Sequence, residues 1–261
     1  MKPILRYSLL SIALTAMLAG MVALLAGSAS DRHLKTCKGL KVESKDSLLF
    51  VTAADVKQYL DESYGSYVGQ RLDSVDLCRI EKILDERGPI FKSEAYTTPD
   101  GTLHVRITER EPRLKFITGE GKGFYADASG YLFPLQAKYD APVRVIDGKL
   151  PLSIESTYKG LAPTPEGRKW IADVLALDDW MVRSRIWREA FVRISVTERG
   201  ELELTPREGK EVFLFGYPEE LQDKFAKIGR YYEYIRPSRE EDYYKTVNLK
   251  YNGQIICRHK K

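Results

Sequence analysis

Cysteine and histidine are scarce in this 261-residue chain, with three of each. Cys37, Cys78 and Cys257 form no CxxC pair, so neither a zinc ribbon nor a disulfide-dense scaffold is encoded. A hydrolase needs a base beside its nucleophile, and only His33, His104 and His259 are on offer. The first adjoins an apolar run, the second lies in a strand facing away from its apolar neighbours, and the third is in the tail. GxSxG and HExxH are missing. Excess charge is missing too: 41 basic and 37 acidic residues leave a net +4, too balanced to argue for nucleic acid. The paired carboxylates Asp178-Asp179 and Glu240-Glu241-Asp242 are adjacent, which reads as solvated surface rather than convergent acid and base. Gly119 to Gly123 is glycine-rich but matches neither GxGxxG nor the P-loop spacing, so it reads as a hairpin turn. No catalytic, cofactor-binding or metal-binding residue is assigned, no small-molecule substrate is expected, and the chain does not read as an enzyme.

One long apolar run is present. Tyr7 to Ser30 carries no charge over 24 residues. As a helix at about 1.5 Å per residue it spans roughly 36 Å, against a hydrocarbon core of about 30 Å. Lys2 and Arg6 precede it, which favours a cytoplasmic N-terminus and export of the remainder. The reading is therefore a short tail at 1–6, a single-pass anchor at 7–30 and an exported body. The alternative is a signal peptide cleaved within Ala26-Gly27-Ser28-Ala29, although its apolar core would exceed the usual length. Export permits one disulfide with a leftover thiol, for which Cys37–Cys78 is the pair; three buried free cysteines are the other reading.

The body is organised as α+β. Leu40 and Val42 alternate as a strand. Thr52 with Asp55, and Val51 with Val56, form a helix cap and hydrophobic staple; Asp73 with Asp76, and Leu72 with Leu77, repeat the device. Gly88-Pro89 ends the second helix. Ile90 to Thr97 and Leu103 to Ile107 are strands about a Pro99-Asp100-Gly101 turn. The order is β-α-α-β-β, closing at Arg110-Glu111-Pro112. Beyond lie aromatic strands around Asp127 and Gly130, then a helix opened by Thr164-Pro165. Strands at 191–196, 201–205 and 212–215 follow, then a helix from Pro218. The chain ends in a hairpin: Val247, Leu249 and Tyr251 alternate, Asn252-Gly253 turns, and Gln254 to Arg258 forms a last strand at or near a sheet edge. Arg258, His259, Lys260 and Lys261 guard that edge with charge.

The stretches Phe50–Val56, Leu72–Glu81, Val105–Pro112, Phe124–Gly130 and Thr246–Gly253, behind an N-terminal apolar span, resemble the FtsQ/DivIB family of bacterial division proteins. Residues 150–240 match by element order alone, and Leu150 to Thr164 is insert-like. The resemblance implies a POTRA domain within 31–112, short linker included, and the family's strand-rich β domain at 113–261. It implies a non-catalytic scaffold of the divisome at the septum of the inner membrane, holding FtsB- and FtsL-like proteins and further divisome members. The partner strand would add to the sheet near the C-terminal hairpin. Carried across by motif, the partner-binding residues are Lys250 and Tyr251 before the turn and, by a looser alignment, Arg199 on a neighbouring strand; Gln254, Ile255 and Ile256 join them as the last strand that offers its edge. Two other readings stay open: a POTRA-bearing chaperone that hands extended chains to an outer-membrane barrel, and an exported hydrolase.

Overall fold

The structure, a computed structural model, describes residues 14–21, 35–44, 50–118, 122–240 and 242–259. Apart from 14–21, which are helical with exposed side chains, the anchor expected at 7–30 lies outside the described residues. Among those described, no helix is long and apolar enough to cross a membrane. The chain divides into two compact units, Met1–Glu109 and Arg110–Lys261.

The first unit follows the expected order: β1 (Gly39–Ser44), α1 (Ala53–Ser63), α2 (Leu77–Asp85), β2 (Ile90–Thr97) and β3 (Thr102–Glu109). Its last strand takes the middle of the sheet, parallel to β1 and antiparallel to β2. Leu103, Val105 and Ile107 of β3, all buried, share the core with Val56 and Leu60 of α1 and Ile80 and Leu84 of α2. The α1 start is as read: Asp55 N–H donates to Thr52 Oγ1 at 3.3 Å and Thr52 N–H to Asp55 Oδ2 at 2.9 Å. The second helix start is three residues later than expected. Asp73 pairs with Arg71, residues Leu72–Ser74 make one 3₁₀ turn, and Asp76 is the cap, accepting from Arg79 N–H at 3.0 Å. The reason is burial: the turn puts both Leu72 and Val75 inside, so the staple becomes Val75 with Ile80. Because both helices carry local stop and start signals, a fragment of residues 31–112 is expected to unfold cooperatively in denaturant. A featureless melt would defeat that expectation.

The second unit is one ten-stranded mixed sheet with two helices. Its strands are β4 (Pro112–Ile117), β5 (Gly123–Asp127), β6 (Tyr131–Pro134), β7 (Arg144–Gly148) and β8 (Gly160–Leu161), then β9 (Phe191–Val196), β10 (Leu202–Pro206), β11 (Val212–Gly216), β12 (Tyr244–Asn248) and β13 (Ile256–His259). The order across the sheet is β13-β12-β11-β10-β9-β7-β4-β5-β6-β8. Strands β4 and β5 pair antiparallel with Ile117 opposite Gly123, and residues 119–121 of the glycine-rich stretch read as a turn lie outside the described residues. Helix α3 (Pro165–Arg183) starts at Thr164, whose hydroxyl accepts from Gly167 N–H at 3.0 Å. It buries Trp170, Ile171, Val174, Leu177 and Met181. Helix α4 (Leu221–Arg230) starts later than Pro218, because Glu220 adopts a left-handed φ of 52° that breaks helical continuity. Phe225 and Ile228 of α4 face the core, joined by Tyr231 from one following π turn. The insert-like stretch becomes a strap: Leu150, Leu152, Ile154 and Tyr158 pack half-buried on the core before β8 pairs with β6.

Two expectations are corrected. Asp178 is buried rather than solvated. Arg144 Nε donates to it at 2.8 Å, and Arg113 lies 3.6 Å from Asp178 and 2.6 Å from Asp179. Adjacent carboxylates on a helix can thus converge on one arginine long enough to reach both. The cysteines are all free, with Cys37 buried, Cys78 exposed on α2 and Cys257 half-buried on β13. Neither the Cys37–Cys78 bridge nor the three-buried reading holds.

Candidate functional site

The candidate side chains named from sequence gather at one end of the second unit, where β9, β10, β11 and β12 finish or turn. Strand β13 hydrogen-bonds to β12 on one side and is the outermost strand of the sheet on the other. Half-buried Ile255 and Cys257 pack toward the core, while Ile256 between them is exposed. This places the last strand at an edge, as the sequence suggests.

The turn before it differs from the two-residue hairpin expected. Ladder pairing stops at Asn248 opposite Ile256, and residues 249–255 form a loop. Leu249 remains bound to β11, its N–H donating to Leu214 O at 3.1 Å, and is fully buried. The carbonyls of Leu249 and Tyr251 turn instead toward Lys227 of α4, whose Nζ donates to them at 3.3 and 2.8 Å. Those carbonyls are therefore taken up by a helix rather than by β13, which is why pairing ends. Asn252-Gly253 still makes a turn, closed by Gln254 N–H to Tyr251 O at 3.3 Å. Positive φ falls on Gly253 alone, at 67°, as in a type II turn rather than the paired left-handed residues of type I′.

The consequence for Tyr251 is decisive. In a strand, Tyr251 would follow Val247 and Leu249 into the core; in the loop its side chain is 53% exposed. Tyr217, just past β11, is exposed to 50%, and its hydroxyl donates to Arg199 O at 3.0 Å. Arg199 sits in the β9–β10 turn, which Trp170 Nε1 holds by donating to Gly200 O at 3.0 Å. Its side chain is exposed, with no hydrogen-bond or ion-pair partner among the described residues. Lys250 joins the turn to the loop: Nζ lies 3.0 and 3.2 Å from the Glu201 carboxylate. Its stem lies across Gly216, where a Cβ would come within 2.8 Å of Lys250 Cγ. Arg199, Lys250 and Tyr251 thus share one surface, with Gln254 exposed beside them. The Lys250 charge is turned to Glu201 and not outward.

Sequence reading missed Tyr217, Glu201 and Lys227. The last had a signal: Lys224 and Lys227 recur at the spacing of Ile228 and Tyr231 on an otherwise apolar stripe. A lysine on such a stripe needs internal acceptors. Lys224 has one, donating to Tyr217 O at 2.7 Å, and lies 5.0 Å from the Phe215 ring centre. Burial lowers its pKa below the ordinary lysine value.

Elsewhere the histidines form contacts of a different kind. His104 stacks on Tyr96 with ring centres 4.8 Å apart, its Nδ1 3.9 Å from Glu43; His259 lies beside Tyr243 at 5.7 Å. His33 lies outside the described residues. Among the described residues no group of three or more His, Cys, Asp or Glu is arranged to hold a metal ion. At the junction motif, Arg110 Nη1 donates to buried Asp127 at 2.8 Å, and its guanidinium lies 3.7 Å from the Tyr131 ring centre.

Comparison with known families agrees with both halves of this description. Residues 35–108 match a POTRA-like domain. A search of curated proteins gives no match. Residues 111–258, more than half of the chain, match the family described as FtsQ/DivIB, C-terminal related, and the protein belongs to that family.

Proposed function

We propose that this protein is a non-catalytic scaffold of bacterial cell division, which holds FtsB- and FtsL-type partners by adding a partner strand to β13. The family membership supports the division role. The single observation that carries the docking mode is the outer edge of β13, unpaired among the described strands, with exposed Tyr251 in the loop that leads into it. Such an edge offers a row of main-chain donors and acceptors, and neighbouring side chains select among the strands that fit. Arg199, in the β9–β10 turn of the same end of the sheet, supplies an exposed charge. A large aromatic side chain on a surface carries the kind of contact area that anchors interfaces.

Tyr7–Ser30 is proposed as an uncleaved inner-membrane anchor, with the N-terminus cytoplasmic and the bulk of the chain periplasmic at the septum. Its uncharged length and the two leading cations support this.

One experiment addresses both parts. A photo-crosslinking residue placed at Ile256 of the full chain in living cells is expected to capture small coiled-coil membrane proteins of the FtsB and FtsL type. Capture of outer-membrane barrel proteins instead would favour the chaperone reading. N-terminal sequencing of the recovered chain should not begin between Ser28 and Asp31, since a start there means a cleaved signal.

A further inference from the structure

Lys227 is the most deeply buried ammonium described in the second unit, 2% exposed. A lysine has three donor hydrogens and no acceptor, and here two accepting carbonyls and one ion-paired carboxylate oxygen lie around one Nζ. Asp223 Oδ2, one helical turn back on α4, is at 2.6 Å. Tyr251 O is at 2.8 Å and Leu249 O at 3.3 Å. The first contact compensates the charge inside its own helix. The other two are main-chain atoms of the loop that presents Lys250 and Tyr251.

We infer that Lys227 is a positioning residue for the docking surface: a buried ammonium on α4 that fixes the loop at 249–255, and with it the Tyr251 side chain, in the geometry a partner meets. This rests on the docking reading given above. The chemistry separates positioning from plain stabilisation. Lys227→Met removes the buried charge, and the carboxylate it leaves behind, Asp223, is 42% exposed and stays solvated, so the cost to stability is smaller than for breaking a fully buried pair. Methionine at 227 fills nearly the same space and keeps α4 packed. It cannot hold two carbonyls. The buried Leu249 carbonyl is then left unsatisfied and driven to find water, while Tyr251 O keeps only the Gln254 N–H of its own turn, so the loop loses its tie to α4 and moves outward. Nothing else described donates to either of them from a side chain. The loop would then keep its sequence, its exposed tyrosine and its edge strand while losing its fixed orientation.

The readout is a double-mutant cycle in the full-length chain, titrated with the exported segment of the FtsB-type protein from the same genome. Tyr251→Ala weakens binding if the docking reading is right; if it does not, that reading falls and this inference with it. Lys227→Met is expected to weaken binding at least tenfold. The double variant is expected to bind within about twofold of the weaker single variant, because residues that act through one another are not additive. Independent, multiplying losses would overturn the inference while leaving the docking reading intact, as would unchanged binding by Lys227→Met. Amide hydrogen exchange at Gly253 and Gln254 provides the local signature and should quicken in Lys227→Met, with α3 unchanged. Should Lys227→Met fail to fold, Lys227→Gln carries the test. Its shorter, uncharged amide cannot replace the ammonium at both carbonyls, and unchanged partner affinity in that variant overturns the inference.

Discussion

Tyr251→Ala is expected to weaken partner binding by about 2 kcal/mol or more, roughly thirtyfold in dissociation constant. The stability of the free protein should move by no more than about 0.5 kcal/mol, the usual range for a surface substitution. The two halves of that expectation come from the same number. With 53% of its surface exposed, Tyr251 contributes little to the core, so its truncation leaves no cavity to destabilise the fold. The loop holds its main chain independently of the ring, through Lys227 to Tyr251 O and Gln254 N–H to the same carbonyl. Affinity and unfolding midpoint measured on the same preparations decide the matter. A large loss of stability would return Tyr251 to the core. Parent-like affinity would move the docking surface elsewhere, with the POTRA-like unit as the next candidate.

The second large effect is on stability. Phe213→Ala should cost about 3–5 kcal/mol, in the range for a buried aromatic deleted from a packed core. Phe213 is fully buried on β11, with ring centres of Tyr231 at 5.5 Å, Tyr232 at 5.8 Å and Phe191 at 6.1 Å. Its strand pairs with β10 on one side and β12 on the other. Loosening there undermines the support of β12 and β13 together, so partner binding should fall with stability in this variant, unlike in Tyr251→Ala. All three tryptophans, Trp170, Trp180 and Trp187, lie in this unit, so their fluorescence during denaturation reports on it specifically. A loss below about 1 kcal/mol would show that the cluster repacks around the gap.

The parts of the fold governed by neighbours in sequence were legible, and the parts governed by distant partners were not. Thr52 with Asp55, and the alternation of Leu103, Val105 and Ile107, need only nearby residues to have meaning. Asp73 looked as good a cap as Asp76; the choice went to Asp76 because Val75 had a place in the core, which no local pattern records. Asn252-Gly253 marked the right turn but the wrong turn type. Acceptors on 249 and 251 answer to a lysine on α4, more than twenty residues away. The same distance effect hid Asp178, whose arginines come from β4 and β7. In the candidate site, Arg199, Lys250 and Tyr251 were named through family likeness. Tyr217, just past β11, and Glu201, just before β10, join them into one surface through contacts that form only in three dimensions.

The sheet order has a consequence for how this unit comes together in time. Pairs β4–β5, β5–β6 and β9–β10 are antiparallel neighbours in sequence and can zip from their own turns. The ladders β4–β7 and β7–β9, in the middle of the sheet, are parallel, as is β11–β12. Parallel ladders cannot form as hairpins; each waits for a long intervening segment to be laid across the sheet, and closing such loops costs entropy before any contact repays it. Strands β7 and β9 are joined through the strap, β8 and α3, and β11 and β12 through α4 and its π turn. Two locally assembled halves therefore meet along a seam that closes late. The edge proposed for docking stands beyond the second slow closure, so a chain holding most of its secondary structure would still lack that edge.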